Sequence, residues 1–156
     1  MYYASPYTTS SAPFQAWMRT GSKEEEVIAL ILESVQGERN DELFYDYLIK
    51  IAPAQKDKDI IAGIRDDERK HRKLFRSMYY YLTGQMPPQV SDQEEPLPSS
   101  YIEGIETALM GELKAFEKYR GIYLNIKPEF RNWMFEIMTD EMKHAAYYNY
   151  LYAKNK

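Results

Sequence analysis

The chain has 156 residues, with 20 Lys+Arg against 24 Asp+Glu and a formal net charge of -4. That length suits one domain able to bury a core unaided, and the acidic balance offers no footprint for nucleic acid or an anionic membrane surface. Cysteine is absent, which excludes disulfides, thiolate metal sites and cysteine nucleophiles and leaves oxygen and nitrogen as ligand atoms.

Residues 1–21 mix Tyr, Ser, Thr and Pro without helical period and read as an N-terminal arm ahead of one domain over 22–156. The arm has neither a basic leader nor a long apolar run, and no later segment reaches membrane-spanning length, so the expected location is the cytoplasm. Ser22 to Glu25 has the form of a capping box. From it, Val27, Ile31, Ser34, Glu38, Tyr45 and Leu48 follow one helix face, which predicts a first helix over about 22–51, stopped by Pro53. Ile61, Ile64, Glu68, His71, Phe75, Met78 and Leu82 alternate steps of three and four up to Gly84, predicting a second helix over about 56–83.

Residues 85–99 carry four prolines and no period, the composition of a long connection that crosses the length of a bundle. Ser100 to Glu103 has the form of a second capping box. It opens a third helix over about 100–125 with the face Ile102, Ile105, Leu109, Glu112, Phe116, Tyr119, Tyr123 and Ile126. Pro128 suits the first turn of a fourth helix, whose face reads Phe130, Met134, Ile137, Glu141, His144, Tyr148 and Leu151. The fold class is therefore all-α, an antiparallel four-helix bundle with a long crossover between helices two and three.

The two halves repeat. Gly37-Glu38 followed by Tyr45 returns as Gly111-Glu112 followed by Tyr119, and Asp67-Glu68-Arg69-Lys70-His71 returns as Asp140-Glu141-Met142-Lys143-His144. Each apolar stripe thus holds a glutamate where an aliphatic residue is expected, and the chain's only two histidines each follow such a glutamate by three residues. Four ionised carboxylates in a bundle interior are prohibitive without counter-charge. Two divalent ions balance Glu38, Glu68, Glu112 and Glu141, and His71 and His144 complete the shell as neutral ligands. At 1.5 Å per residue Glu38 and Glu68 each lie roughly 18 to 20 Å from the turn between their helices, so the ligands share one layer.

These residues resemble the ferritin-like superfamily, and within it the rubrerythrin-like and bacterioferritin-like di-iron proteins, over about residues 22–154. The resemblance implies a dinuclear centre of two divalent metal ions, iron or alternatively manganese. It implies further roles for Tyr45 and Tyr119, hydrogen bonded to carboxylates, and for Asp67 and Asp140, orienting imidazoles. The activity it implies is a peroxidase or oxidase reaction with hydrogen peroxide or dioxygen, and with no cysteine-bound iron in the chain the electrons come from a separate donor protein. Rubrerythrins carry a further helix-three glutamate where this chain has Ala115. Asp41, its counterpart on the first helix, is read as solvent-facing, with an extra carboxylate near the site as the alternative.

Non-enzymatic iron handling or storage, a dimanganese catalase-like activity, and a coat-type structural protein stabilised by metal remain the alternatives. Tyr79, Tyr80, Tyr81, Tyr147 and Tyr148 are read as amphipathic residues filling the bundle end and an interface, consistent with a homodimer.

Overall fold

The computed structural model describes residues 22–92 and 96–156, so the arm assigned to residues 1–21 lies outside the described residues. Four long helices make up the fold: α1 Lys23–Ile51, α2 Gln55–Thr83, α3 Tyr101–Asn125 and α4 Arg131–Asn155. The Ser22 hydroxyl accepts from the Glu25 amide at 3.3 Å and the Glu25 carboxylate accepts from the Ser22 amide at 2.8 Å, so the predicted capping box opens α1. Gly84 ends α2 with φ 72, a left-handed conformation that glycine adopts without steric penalty.

Two local expectations change. At α3, Ser100 caps the Glu103 amide, but the Glu103 carboxylate turns to the amide and hydroxyl of Ser99 instead of closing a box on Ser100. At the last connection, Pro128–Phe130 form a tight 3-10 turn, closed by the Phe130 amide on the Lys127 carbonyl at 3.1 Å, and α4 proper starts at Arg131. A first turn wound with i→i+3 bonds is a common way to enter a helix behind proline.

The core is split in two. One cluster joins Val27, Ile31 and Val35 of α1 to Phe75 and Met78 of α2, Ile122 of α3 and Met134 and Ile137 of α4. The other joins Leu48, Ile61, Ile64, Ile105, Ala108 and Leu151. The start of α1 therefore meets the end of α2, the end of α3 and the start of α4, which makes the α1–α2 and α3–α4 hairpins antiparallel. The connection from α2 to α3 must then travel the length of the bundle. It is held where it passes: Val90 packs on the first cluster, Asp92 pairs with Arg39 at 2.9 Å, and Pro98 lies over Gly104. Between the two apolar clusters sits a layer of buried Glu and His side chains.

Two buried carboxylates outside that layer hold elements together. Glu42 on α1 accepts from Arg69 at 2.7 Å and Arg72 at 2.5 Å, both on α2, and pairs with Arg39 at 3.0 Å. Burial works against its charge, but the three guanidiniums win and hold its carboxyl down at about 2. Asp57, fully buried near the start of α2, accepts from Lys154 and Asn155 at the end of α4 and from Tyr101 at the start of α3. No described helix is long and apolar enough to cross a membrane.

Candidate metal centre

All six side chains singled out as ligands lie in the layer between the cores, each at 2% exposure or less. They form two overlapping groups, Glu38, Glu68, His71 and Glu141, and Glu68, Glu112, Glu141 and His144, in each of which one ligand atom per residue lies within 4.8 Å of all the others. Glu68 and Glu141 belong to both. The helix period puts them there: Glu38 and Glu112 occupy the buried stripes of α1 and α3, while Glu-x-x-His on α2 and α4 presents two donors on one face one turn apart.

The imidazoles are oriented by the opposite hairpin. His71 Nε2 meets Asp140 Oδ2 at 3.1 Å and His144 Nε2 meets Asp67 Oδ2 at 3.0 Å. The other ring nitrogens therefore face inward. His71 Nδ1 lies 3.1 Å from Glu141, 3.3 Å from Glu68 and 3.6 Å from Glu38. His144 Nδ1 lies 3.1 Å from Glu68, 3.6 Å from Glu112 and 3.9 Å from Glu141. The tyrosines cross in the same way, Tyr45 donating to Glu112 at 2.7 Å and Tyr119 to Glu38 at 2.5 Å. One ammonium joins the two His–Asp contacts, since Lys143 Nζ reaches Asp67 at 2.9 Å and Asp140 at 2.6 Å. Its repeat counterpart Lys70 pairs with Glu136 instead.

The environment favours protons on four of the six groups and a charge on Glu141. Burial opposes charge on both imidazoles, but the Asp140 and Asp67 carboxylates on Nε2, together with the glutamates crowded around Nδ1, outweigh it and hold both far above the usual histidine range. Burial, with added repulsion from Glu141, raises the carboxyl groups of Glu68 and Glu112 well above the carboxylate range. Glu141 is held ionised, down at about 2, because contacts with Glu112, His144 and His71 overcome its burial. Asp67, beside His144 and Lys143, lies well below the usual carboxylate range.

Five of these inward atoms have no hydrogen-bond partner: Glu38 Oε2, Glu68 Oε1, His71 Nδ1, Glu141 Oε1 and His144 Nδ1. Buried polar atoms are nearly always satisfied, and five convergent orphans of nitrogen and carboxylate oxygen match the donor set of hard to borderline divalent ions. The residues fit a metal.

Some placements differ from the sequence reading. Asp41 is half-buried and lines an open cavity of ≈ 590 Å³ beside Tyr45, Gly37 and Gly111. The tyrosines divide: Tyr80, Tyr81 and Tyr147 are exposed, whereas Tyr148, on the inward face that the period of the fourth helix gives it, is fully buried against Tyr45 at a ring separation of 5.4 Å. Glu42 and Asp57 escaped sequence reasoning, although the i, i+4 step from Glu38 to Glu42 puts that pair on neighbouring inward positions. Ala115 packs against the first apolar cluster. No protein-family model matches the chain, and no curated protein matches it.

Proposed function

We propose that this is a dinuclear metal protein of the ferritin-like kind, an oxidoreductase that reduces hydrogen peroxide or dioxygen with electrons from a separate donor protein. The observation that carries the reading is the sharing of Glu68 and Glu141 between two four-residue groups of otherwise separate ligands. Glu38 and His71 would hold one ion, Glu112 and His144 the other, and Glu68 and Glu141 would bridge them. Iron is the best-suited metal, with manganese accepted by the same donors. When bound, the ions supply Lewis acidity and electrons to a small oxidant.

The chain's own residues supply the rest. Asp140 and Asp67 hold each imidazole with Nδ1 inward, Tyr45 and Tyr119 hold one oxygen of Glu112 and Glu38 so that the other points into the layer, and the two apolar clusters exclude water above and below. The cavity lined by Gly37, Tyr45 and Gly111 lies on the α1–α3 side, away from the histidines, and is large enough for a small oxidant.

The test is metal analysis of protein produced with balanced iron and manganese, followed by anaerobic reduction and stopped-flow mixing with peroxide or dioxygen. Two ions per chain and an absorbance change faster with peroxide than with dioxygen are expected. Two bound ions with no metal-dependent change over minutes would leave a structural metal site and remove the redox function.

A further inference from the structure

The repeat that builds the site is broken one turn beyond the histidines. Four residues after His71 stands Phe75, and four residues after His144 stands Tyr148. The two rings do the same packing work. Phe75 lies against Tyr119 with centroids 5.0 Å apart and planes at 51°, Tyr148 against Tyr45 at 5.4 Å and 49°, and both are fully buried. Phe75 shows that the packing needs only an aromatic ring.

What Tyr148 adds is one hydroxyl, and that hydroxyl has no hydrogen-bond partner. The Tyr45 hydroxyl lies close enough to that of Tyr148 to interact with it, but it gives its own proton to Glu112 at 2.7 Å, and the two hydroxyls fall outside hydrogen-bond geometry. A buried hydroxyl left unpaired is destabilising, and buried tyrosine hydroxyls ordinarily find partners. Among the described residues the other partnerless buried side-chain atoms are the five inward ligand atoms of the metal layer. Those five are donors to a cation. Tyr148, in the second apolar cluster beside Tyr45 with Glu112 and Glu68 as its strongest charged neighbours, is a proton donor lacking an acceptor.

We propose that the Tyr148 hydroxyl donates a hydrogen bond to a small anionic ligand, of the hydroxide or hydroperoxide class, taken up at the dinuclear centre on its Glu112–His144 side. This rests on the dinuclear reading above and adds to it that the two halves of a near-symmetric site are unequal. The Phe75 half has no corresponding donor, so an exogenous ligand is held on one side only.

The test uses azide as the probe on the full chain loaded with iron(III), with Tyr148→Phe as the variant, whose ring already has its precedent in Phe75. The variant should load two ions like the parent, bind azide about tenfold more weakly by its charge-transfer band, in line with loss of one hydrogen bond to a charged acceptor, and in metal-free form melt at a higher temperature than the parent. Unchanged azide affinity would overturn the proposal, as would a lower melting temperature of the metal-free variant, which would mean that the hydroxyl has a protein partner. A tyrosinate-to-iron band in the parent that disappears in the variant would overturn it too, by making Tyr148 a ligand. If the parent takes up no metal, the dinuclear reading falls and this proposal with it; if the parent loads two ions but binds no azide, this proposal alone falls.

Discussion

His71 on α2 and Asp140 on α4 belong to different hairpins, yet His71 Nε2 lies 3.1 Å from Asp140 Oδ2. The contact fixes which ring nitrogen faces the glutamate layer, and Asp67 does the same for His144 from the other side. Replacing Asp140 with Asn removes the charge that keeps the imidazole oriented and basic. Metal affinity of the Asp140→Asn variant should fall about 10–100-fold, measured by competition with a chromophoric chelator. A change below about twofold would show that the aspartate is only a solvated neighbour.

The protons now held at the site have to leave when metal enters. Both imidazoles are held protonated, and the Glu68 and Glu112 carboxyl groups are pushed up by burial. Metal uptake at neutral pH should therefore release about two to four protons per chain, and affinity should drop steeply as pH falls. Titration of weakly buffered protein with an indicator dye reads this directly, and uptake without proton release would contradict a ligand set that is protonated before metal binds.

Glu68 gives a stability signature of its own. Its folded pKa lies above the unfolded value, so the protonated form is favoured in the fold, and the contribution it makes below about pH 4.5 is lost as pH rises toward the folded pKa. Metal-free Glu68→Gln has no such loss. It should match the parent near pH 4 and become more stable above it, the gap widening by about 1.4 kcal/mol per pH unit until the folded pKa is reached. Urea unfolding across pH 4–8 checks the slope, while metal affinity of the variant falls. A metal-free variant less stable than the parent at pH 7 would refute the argument.

Asp57 depends on the last turn of α4. Its partners Lys154 and Asn155 leave together if the chain is ended at Ala153, and Tyr101 alone then faces a fully buried carboxylate. The shortened protein should lose about 2–4 kcal/mol of unfolding free energy. Asp57→Asn in the same shortened chain should recover part of that loss, because it removes the uncompensated charge.

Two glycines of α3 provide a matched comparison. A Cβ at Gly104 would lie 2.5 Å from Leu48 Cδ2 and 3.1 Å from Pro98 Cγ, whereas one at Gly111 meets nothing within 4 Å. Gly104→Ala should destabilise by about 1–3 kcal/mol through overpacking where the crossover closes on the bundle. Gly111→Ala should gain up to about 1 kcal/mol from helix propensity. Thermal melts of the two variants in metal-free form separate these effects from metal binding.

Helix limits, the inward positions of Glu38, Glu68, Glu112 and Glu141, and the Glu-x-x-His pairs were legible in the sequence, because a 3.6-residue period is a local property: it says which face of its own helix a side chain occupies. The period also places Tyr45, Tyr119 and Tyr148 on buried stripes. It cannot say what each residue meets there. Tyr45 goes to Glu112 and Tyr119 to Glu38, Asp67 to His144 and Asp140 to His71, every one across the two hairpins and none within its own. That crossing follows from how the hairpins face each other, which depends on the whole packing of two apolar clusters and on the path of the crossover. The same packing decides that Lys143, and not Lys70, bridges both aspartates, that Glu42 meets two arginines and Asp57 a lysine from other helices, and that the hydroxyl of Tyr148 is buried without a partner.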